Sequence, residues 1–203
     1  MNEQTIIEQY LQTVIKSCGQ IHQDEIAGIY HVLLKVARNK GKIYLCGNGG
    51  SSSTASHFQS DLNRAFAISC QTMPAVCLTD NIAALTAVAN DVSYEDVFCH
   101  QLKYQLEGRD ALVAVSASGN SANVIKAAEF AKEKGCIVIA LVGFDGGRLP
   151  RSVPSDKARD PSLFDIKRDI FQIKGGIFFA ETAYFNNAHI NLLKFDFYEY
   201  CNI

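Results

Sequence analysis

The chain predicts an α/β fold in which a parallel sheet is flanked by helices in three layers, on three observations. Short apolar runs at 43–46, 75–78, 111–115 and 137–142 alternate with stretches of helical periodicity. Runs such as Ile137-Val138-Ile139-Ala140-Leu141-Val142 carry no polar alternation, so both faces of these strands should be covered. The order strand, helix, strand, helix requires crossover connections, which place helices on both sides of a parallel sheet. A chain of 203 residues suits one domain with short extensions, and 48% hydrophobic residues can fill its core.

Two helices lead. Residues 2–18 carry Ile6, Ile7, Tyr10, Leu11, Val14 and Ile15 at helical spacing, and 24–39 carry Ile26, Ile29, Tyr30, Val32, Leu33, Leu34 and Val36. With no strand before them, they need a burial partner on the sheet or on another subunit. The strand at 43–46 is followed by a helix at 51–66. The strand at 75–78 is followed by helical patterns at 81–89 and 93–106. The strand at 111–115 leads to a helix at 121–134, and the strand at 137–142 closes the series. Beyond Leu149, three of the four prolines (Pro150, Pro154 and Pro161) fall within twelve residues and predict a loop. An aromatic-rich tail follows. The chain thus divides into a body, 1–149, and a C-terminal segment of different character, 150–203.

Composition narrows the function. A net charge of −2, with no Lys/Arg cluster on any motif, argues against a nucleic-acid partner. No signal peptide and no bilayer-length apolar run is evident, so no membrane partner is expected and the expected location is the cytoplasm. The seven cysteines are an odd count with no C-x-x-C pair, and Cys46, Cys77 and Cys136 lie in or beside apolar runs. They read as small buried hydrophobes in a reducing compartment.

The chemistry concentrates in two strand–loop–helix devices. In Val113-Ala114-Val115-Ser116-Ala117-Ser118-Gly119-Asn120-Ser121-Ala122-Asn123, an apolar run ends in three serines and a glycine and a helix begins at once. The first amides of such a helix lack intrahelical acceptors and its dipole is positive at the same end. The hydroxyls of Ser116, Ser118 and Ser121 add donors, and Gly119 allows close approach. An ordinary helix cap needs one Ser; three around a Gly fit a small dianion, most simply a phosphate monoester. The other device is Cys46-Gly47-Asn48-Gly49-Gly50-Ser51. It lacks the Gly-Lys-Ser/Thr of a nucleotide-binding P-loop, and Ser52 stands where a dinucleotide fingerprint has its last Gly. Loops beyond the C-terminal strand ends hold ligands at a switch in strand order, so the two devices could grip the two ends of one phosphorylated small molecule.

His57 and Asp61 are four apart on the helix after the Asn48–Ser51 loop and therefore share a face. They read as an acid/base pair, as two metal ligands, or as a surface polar pair. Asn90-Asp91 ends an apolar helix and is either a simple helix terminus or a loop that binds sugar hydroxyls. Asp145-Gly146-Gly147 reads as a tight turn.

The phrases CGNGGS, ASHF, ANDVSYEDVF, SGNSANVIKA and GFDGG, in this order, resemble the sugar isomerase (SIS) domain, and within it the phosphoheptose isomerases. The resemblance covers the chain to about Leu149. It implies a SIS-type, flavodoxin-like parallel sheet of five strands, usually in a homotetramer with active sites between subunits. It implies interconversion of sedoheptulose 7-phosphate and glycero-manno-heptose 7-phosphate through an enediol. It places Ser116, Ser118 and Ser121 on the phosphate, Asn48, Gly49, Gly50 and Ser51 in the substrate loop, and Asn90 and Asp91 toward the sugar. It makes His57 a zinc ligand in zinc-binding members. Asp61 stands where the family usually has a Glu that is both catalytic acid/base and metal ligand.

After Leu149 the resemblance ends. The family continues with a strand and a helix bearing a Gln and, eight residues later, a His that complete the metal site and supply the second acid/base. Here Glu181 and His189 have that separation and are the candidates to replace the pair, as metal ligands and, for His189, as the second catalytic group. The competing account of the tail is a shifted reading frame fused to an intact body. The expected function is thus an aldose–ketose isomerase, with zinc as the expected cofactor and a homo-oligomer, by resemblance a homotetramer, as the assembly. A non-catalytic SIS module that binds a sugar phosphate as sensor or adaptor is the alternative, and an isomerase for another sugar phosphate is a weaker one.

Overall fold

A computed structural model describes residues 2–19, 21, 23–68, 74–144 and 146–149. The segment 150–203, with Glu181 and His189, lies outside the described residues, as does any fifth strand there. The elements in chain order are α1 (Glu3–Gly19), α2 (Gln23–Arg38), β1 (Ile43–Gly47), α3 (Gly50–Ile68), β2 (Ala75–Cys77), α4 (Ile82–Asp91), a 3-10 turn (Tyr94–Asp96), α5 (Val97–Leu102), β3 (Ala111–Ser116), α6 (Ala122–Glu133) and β4 (Ile137–Val142). The four strands form one parallel sheet in the order β2-β1-β3-β4, with Leu45 opposite both Cys77 and Val113, and Val113 opposite Ile139.

The period-two alternation of the strands makes the three layers. Ile43, Leu45, Val113, Val115, Ile139 and Leu141 meet Leu33 and Val36 of α2 and Ala55 and Leu62 of α3 on one face. Tyr44, Cys46, Leu112, Ala114, Val138 and Ala140 meet Val88 of α4, Phe98 and Leu102 of α5, and Val124, Ala127 and Ala128 of α6 on the other. The apolar strand runs are therefore covered on both sides, as their lack of alternation requires. Cys46, Cys77, Cys99 and Cys136 are buried and free, and Cys18 is exposed. Burial pushes the Cys136 thiol up to about 12 and moves those of Cys46, Cys77 and Cys99 in the same direction. These four behave as hydrophobes, not as thiolates.

The helix read at 93–106 is shorter in the structure. Asp96 N–H donates to the Ser93 carbonyl at 3.2 Å, the i→i+3 bond of a 3-10 turn, and Ser93 Oγ donates to Asp96 Oδ2 at 2.8 Å. The α-helix itself stops at Leu102, and Leu106 reaches the core from the turn that follows. The two leading helices also differ. Helix α2 buries Gly28, Leu33 and Val36, whereas α1 has no buried residue and leaves Ile6, Ile7, Leu11 and Ile15 about half or more exposed.

The outer edge of β2 is closed by side chains of α3. Asn63 Oδ1 accepts from the Ala75 amide at 2.9 Å and its Nδ2 donates to the Ala75 carbonyl at 3.2 Å. Gln59 Oε1 accepts from the Cys77 amide at 2.9 Å. These bonds satisfy groups that an edge strand would otherwise offer to another chain, and they fix how far α3 slides along the sheet. Asn63→Ala, which strands both Ala75 groups, should destabilise the fold by about 1–3 kcal/mol, read by denaturant unfolding. A change below ~0.5 kcal/mol would show that water replaces the side chain without loss.

Candidate functional site

The strand order turns back on itself between β1 and β3, so the loops that follow these two strands are neighbours at the C-terminal edge of the sheet. A pocket of ≈ 250 Å³ lies between them. Asn48 and Ser51 line it from the β1 side, Ser116, Ser118 and Ser121 from the β3 side, and Phe144 from the end of β4. Phe144 holds φ +50, a left-handed conformation that a bulky residue rarely adopts.

Ser121 is the N-cap of α6, yet its hydroxyl makes no capping bond; Ser116 Oγ donates to it at 3.2 Å instead. The third amide of the helix, Val124 N–H, is taken at 2.9 Å by Asn123 Oδ1. The amides of Ala122 and Asn123 have no acceptor among the described residues. The mouth of α6 thus offers two backbone donors, the positive end of a helix dipole and two hydroxyls. No Lys or Arg lines the pocket among the described residues, so an anion there would be held by dipoles and hydroxyls.

The Gly119 backbone, at φ +63, is pinned from β4's loop. Arg148 N–H and Leu149 N–H both donate to the Gly119 carbonyl, at 3.0 and 2.8 Å. Arg148 N–H also lies 3.1 Å from Asn120 Oδ1, and Gly143 N–H donates to the Ala117 carbonyl at 2.9 Å. The residues flanking the segment read as a tight turn, Gly143 before it and Arg148 and Leu149 after it, therefore brace the serine loop, although Asp145 itself lies outside the described residues.

The remaining predicted residues are distributed unevenly. Gly49 and Gly50 form the exposed turn into α3, where the Ser52 and Ser53 amides donate to the Gly49 carbonyl, and neither lines the pocket. Asn90 and Asp91 are exposed at the end of α4, with Asn90 Nδ2 donating to Asp91 Oδ1 at 2.8 Å; they also stand outside the pocket lining. His57 Nε2 lies 3.3 Å from Asp61 Oδ2, with side chains 64% and 30% exposed, so the pair is in contact and reached by solvent. Ser51 lines the pocket; along the axis of α3, His57 and Asp61 follow it by about 9 and 15 Å at 1.5 Å per residue.

No group of three or more His, Cys, Asp or Glu side chains among the described residues is placed to hold a metal ion. His57 and Asp61 supply two donors, fewer than the three or four protein ligands zinc takes. The described residues alone do not make a zinc centre.

Two residues at the site escaped the reading of the sequence. Asn48 and Asn123 exchange a reciprocal pair of amide hydrogen bonds, 2.8 and 3.0 Å, and the Tyr94 hydroxyl donates to Asn48 Oδ1 at 3.0 Å. Tyr94 and Asn123 lie inside the quoted phrases ANDVSYEDVF and SGNSANVIKA, but nothing in their spacing joins them to residue 48. That link is made by the sheet.

No helix among the described residues is long and apolar enough to cross a membrane. The SIS domain model matches residues 9–143. A phosphoheptose isomerase from Helicobacter pylori (strain P12) is 41% identical over 140 residues, covering 66% of this chain and 73% of that one. The structure of a phosphoheptose isomerase from Neisseria gonorrhoeae superposes with a TM-score of 0.70 at 30% identity, over 94% of each chain. One from Francisella tularensis gives 0.72 at 26% identity, over 95% of this chain and 91% of that one.

Proposed function

The chain belongs to the SIS domain family and, within it, to the phosphoheptose isomerases, and on that premise we propose that it interconverts sedoheptulose 7-phosphate and glycero-manno-heptose 7-phosphate. The observation that carries the reading to this chain's own residues is the pocket at the β1/β3 switch. There Ser121 gives up its capping role and turns its hydroxyl to Ser116, beside two amides of α6 that have no acceptor among the described residues. Such an arrangement serves a phosphate better than it serves the helix.

In this reading Ser116, Ser118 and Ser121 hold the phosphate, and Asn48 and Ser51 take sugar oxygens. Gly49 and Gly50 shape that loop, and Asn90 and Asp91 approach the sugar from the end of α4. Asp61 moves the carbon-bound proton. From the ketose, its carboxylate takes a proton at C1 while O2 gains one, giving the enediol. It then returns a proton to C2 while O1 loses one, giving the aldose. His189 is the group assigned to the oxygen-side transfer. Holding the phosphate away from the reacting carbons turns its binding energy into positioning of C1 and C2.

Zinc belongs to the proposal as well: His57 and Asp61 would be joined by Glu181 and His189, and bound zinc would supply Lewis-acid stabilisation of the enediolate. The assembly proposed is a homo-oligomer, a homotetramer by resemblance, in the cytoplasm. The exposed apolar face of α1 supports it, since Ile6, Ile7, Leu11 and Ile15 lack a partner within the described fold.

The test follows purified protein with sedoheptulose 7-phosphate, with and without added zinc and after chelation. Aldose formation and solvent deuterium at C1 and C2 are the expected results, with metal analysis and light scattering reporting zinc content and subunit number. No exchange under any metal condition would sink the isomerase reading.

A further inference from the structure

The hydrogen bonds around Asn48 leave it a single role. A backbone N–H can only donate, and Val124 N–H lies 2.9 Å from the Asn123 side chain, so the atom it meets must be the carbonyl oxygen Oδ1. That fixes which way the Asn123 amide faces. Its Oδ1 then accepts from Asn48 Nδ2 at 2.8 Å, and its Nδ2 donates to Asn48 Oδ1 at 3.0 Å. The Tyr94 hydroxyl, 3.0 Å from the same Asn48 Oδ1, must be donating. An amide oxygen has two lone pairs, and both are now used; of the two N–H hydrogens on Nδ2, one is used. What remains, among the described residues, is one N–H donor on a residue that lines the pocket.

We propose that Tyr94 and Asn123 are positioning residues that lock Asn48 as a hydrogen-bond donor toward an oxygen of the bound sugar phosphate. The proposal rests on the sugar-phosphate reading of the pocket and deepens it. Tyr94 is held in turn. Beside it, Ser93 Oγ donates to Asp96 Oδ2, and the other oxygen of Asp96 pairs with Lys126 Nζ at 2.8 Å. The Lys126 and Ser93 bonds hold the Asp96 carboxyl below its usual range. Lys126 sits on α6, one turn beyond Asn123, so the β1 loop, the 3-10 turn and α6 close into a ring around the amide pair. Tyr94 is more than half exposed and has little packing of its own to keep it there. Its contact with Asn48 is what an exposed tyrosine hydroxyl has to offer the site.

The effect is selective. A free asparagine accepts or donates with equal ease. Locked in this ring, Asn48 rewards a ligand that presents an acceptor and gives nothing to one that presents only a donor. Without the Tyr94 hydroxyl, the second lone pair of Asn48 Oδ1 is open and the amide is held only by its partner.

Tyr94→Phe keeps the ring and removes the donor. Binding of sedoheptulose 7-phosphate by calorimetry should weaken about 3–10-fold, with KM raised by a like factor and kcat little changed. Thermal unfolding should stay close to the wild type, since the lost hydroxyl is exposed. Asp96→Asn, which loosens the ring one step further out, should weaken binding in the same direction by less. Unchanged affinity in Tyr94→Phe overturns the lock, and so does a loss of affinity seen only together with a lowered unfolding transition. Wild-type protein that binds the sugar phosphate without turning it over defeats the isomerase reading and leaves the lock testable by binding. Wild-type protein that binds no sugar phosphate defeats both.

Discussion

Asp61→Asn should lower solvent-deuterium exchange at C1 and C2 of sedoheptulose 7-phosphate by about 10²–10⁴-fold, the range lost when a positioned acid/base is removed. The affinity for phosphate should hardly change. The reason lies in the geometry. Asp61 does not line the serine pocket; it follows Ser51 along α3 and touches His57 at 3.3 Å. Removing its charge therefore leaves the hydroxyls of Ser116 and Ser121, and the first amides of α6, as they were. Asn matches Asp in shape, so a loss of exchange would report the missing carboxylate, as proton acceptor or as zinc ligand, and not a repacked helix. Asp61→Glu is the companion. It restores the longer acid found at this position in the resembling family, and it should keep exchange within reach of the wild-type rate. Full exchange in Asp61→Asn would remove Asp61 from the mechanism. Loss of exchange in both variants would instead mean that the shorter side chain is fitted to its own surroundings.

How far such a site could be read from the chain depends on distance along the sequence. The serine loop was legible because its donors lie within six residues and announce themselves by type. His57 and Asp61 were legible because four residues return to the same helix face. The sheet was legible from continuous apolar runs, and the pairing of loops after β1 and β3 follows once the strand order is known. That order itself is not written locally. The amide pair Asn48–Asn123 spans seventy-five residues, and no periodicity joins its halves. Tyr94 was hidden for another reason: helical spacing over 93–106 masks the 3-10 turn that aims its hydroxyl at Asn48. The brace of the serine loop was hidden because a Gly-Gly pair signals a turn whether or not anything leans on it. Apolar periodicity also marks α1 as a helix without saying that its face finds no partner within the described residues.

Gly119→Ala is expected to have the largest structural effect. A Cβ built at Gly119 would meet the Gly146 carbonyl oxygen at 1.9 Å and its carbonyl carbon at 2.6 Å. Both are backbone atoms, so no side chain can swing away, and either the serine loop or its brace must move. The left-handed φ of +63 adds about 1–2 kcal/mol for any residue with a Cβ. Moving the brace would break the bonds from Arg148 and Leu149 to the Gly119 carbonyl; moving the loop would part Ser116 and Ser121. Phosphate affinity should fall by more than about 30-fold, a loss of roughly 2 kcal/mol at 1.4 kcal/mol per tenfold, and the unfolding midpoint should drop by several degrees. Gly135→Ala separates the two contributions. Gly135 is also left-handed, at φ +78, but a Cβ there meets nothing within 4 Å. It should therefore show the conformational cost alone, a fall in midpoint of about 2–8 °C for roughly 1–2 kcal/mol, with phosphate binding unchanged. If Gly119→Ala behaves like Gly135→Ala, the contact between the two loops is not what shapes the phosphate site. If only Gly119→Ala loses phosphate, the brace from β4 is part of how this fold holds its ligand.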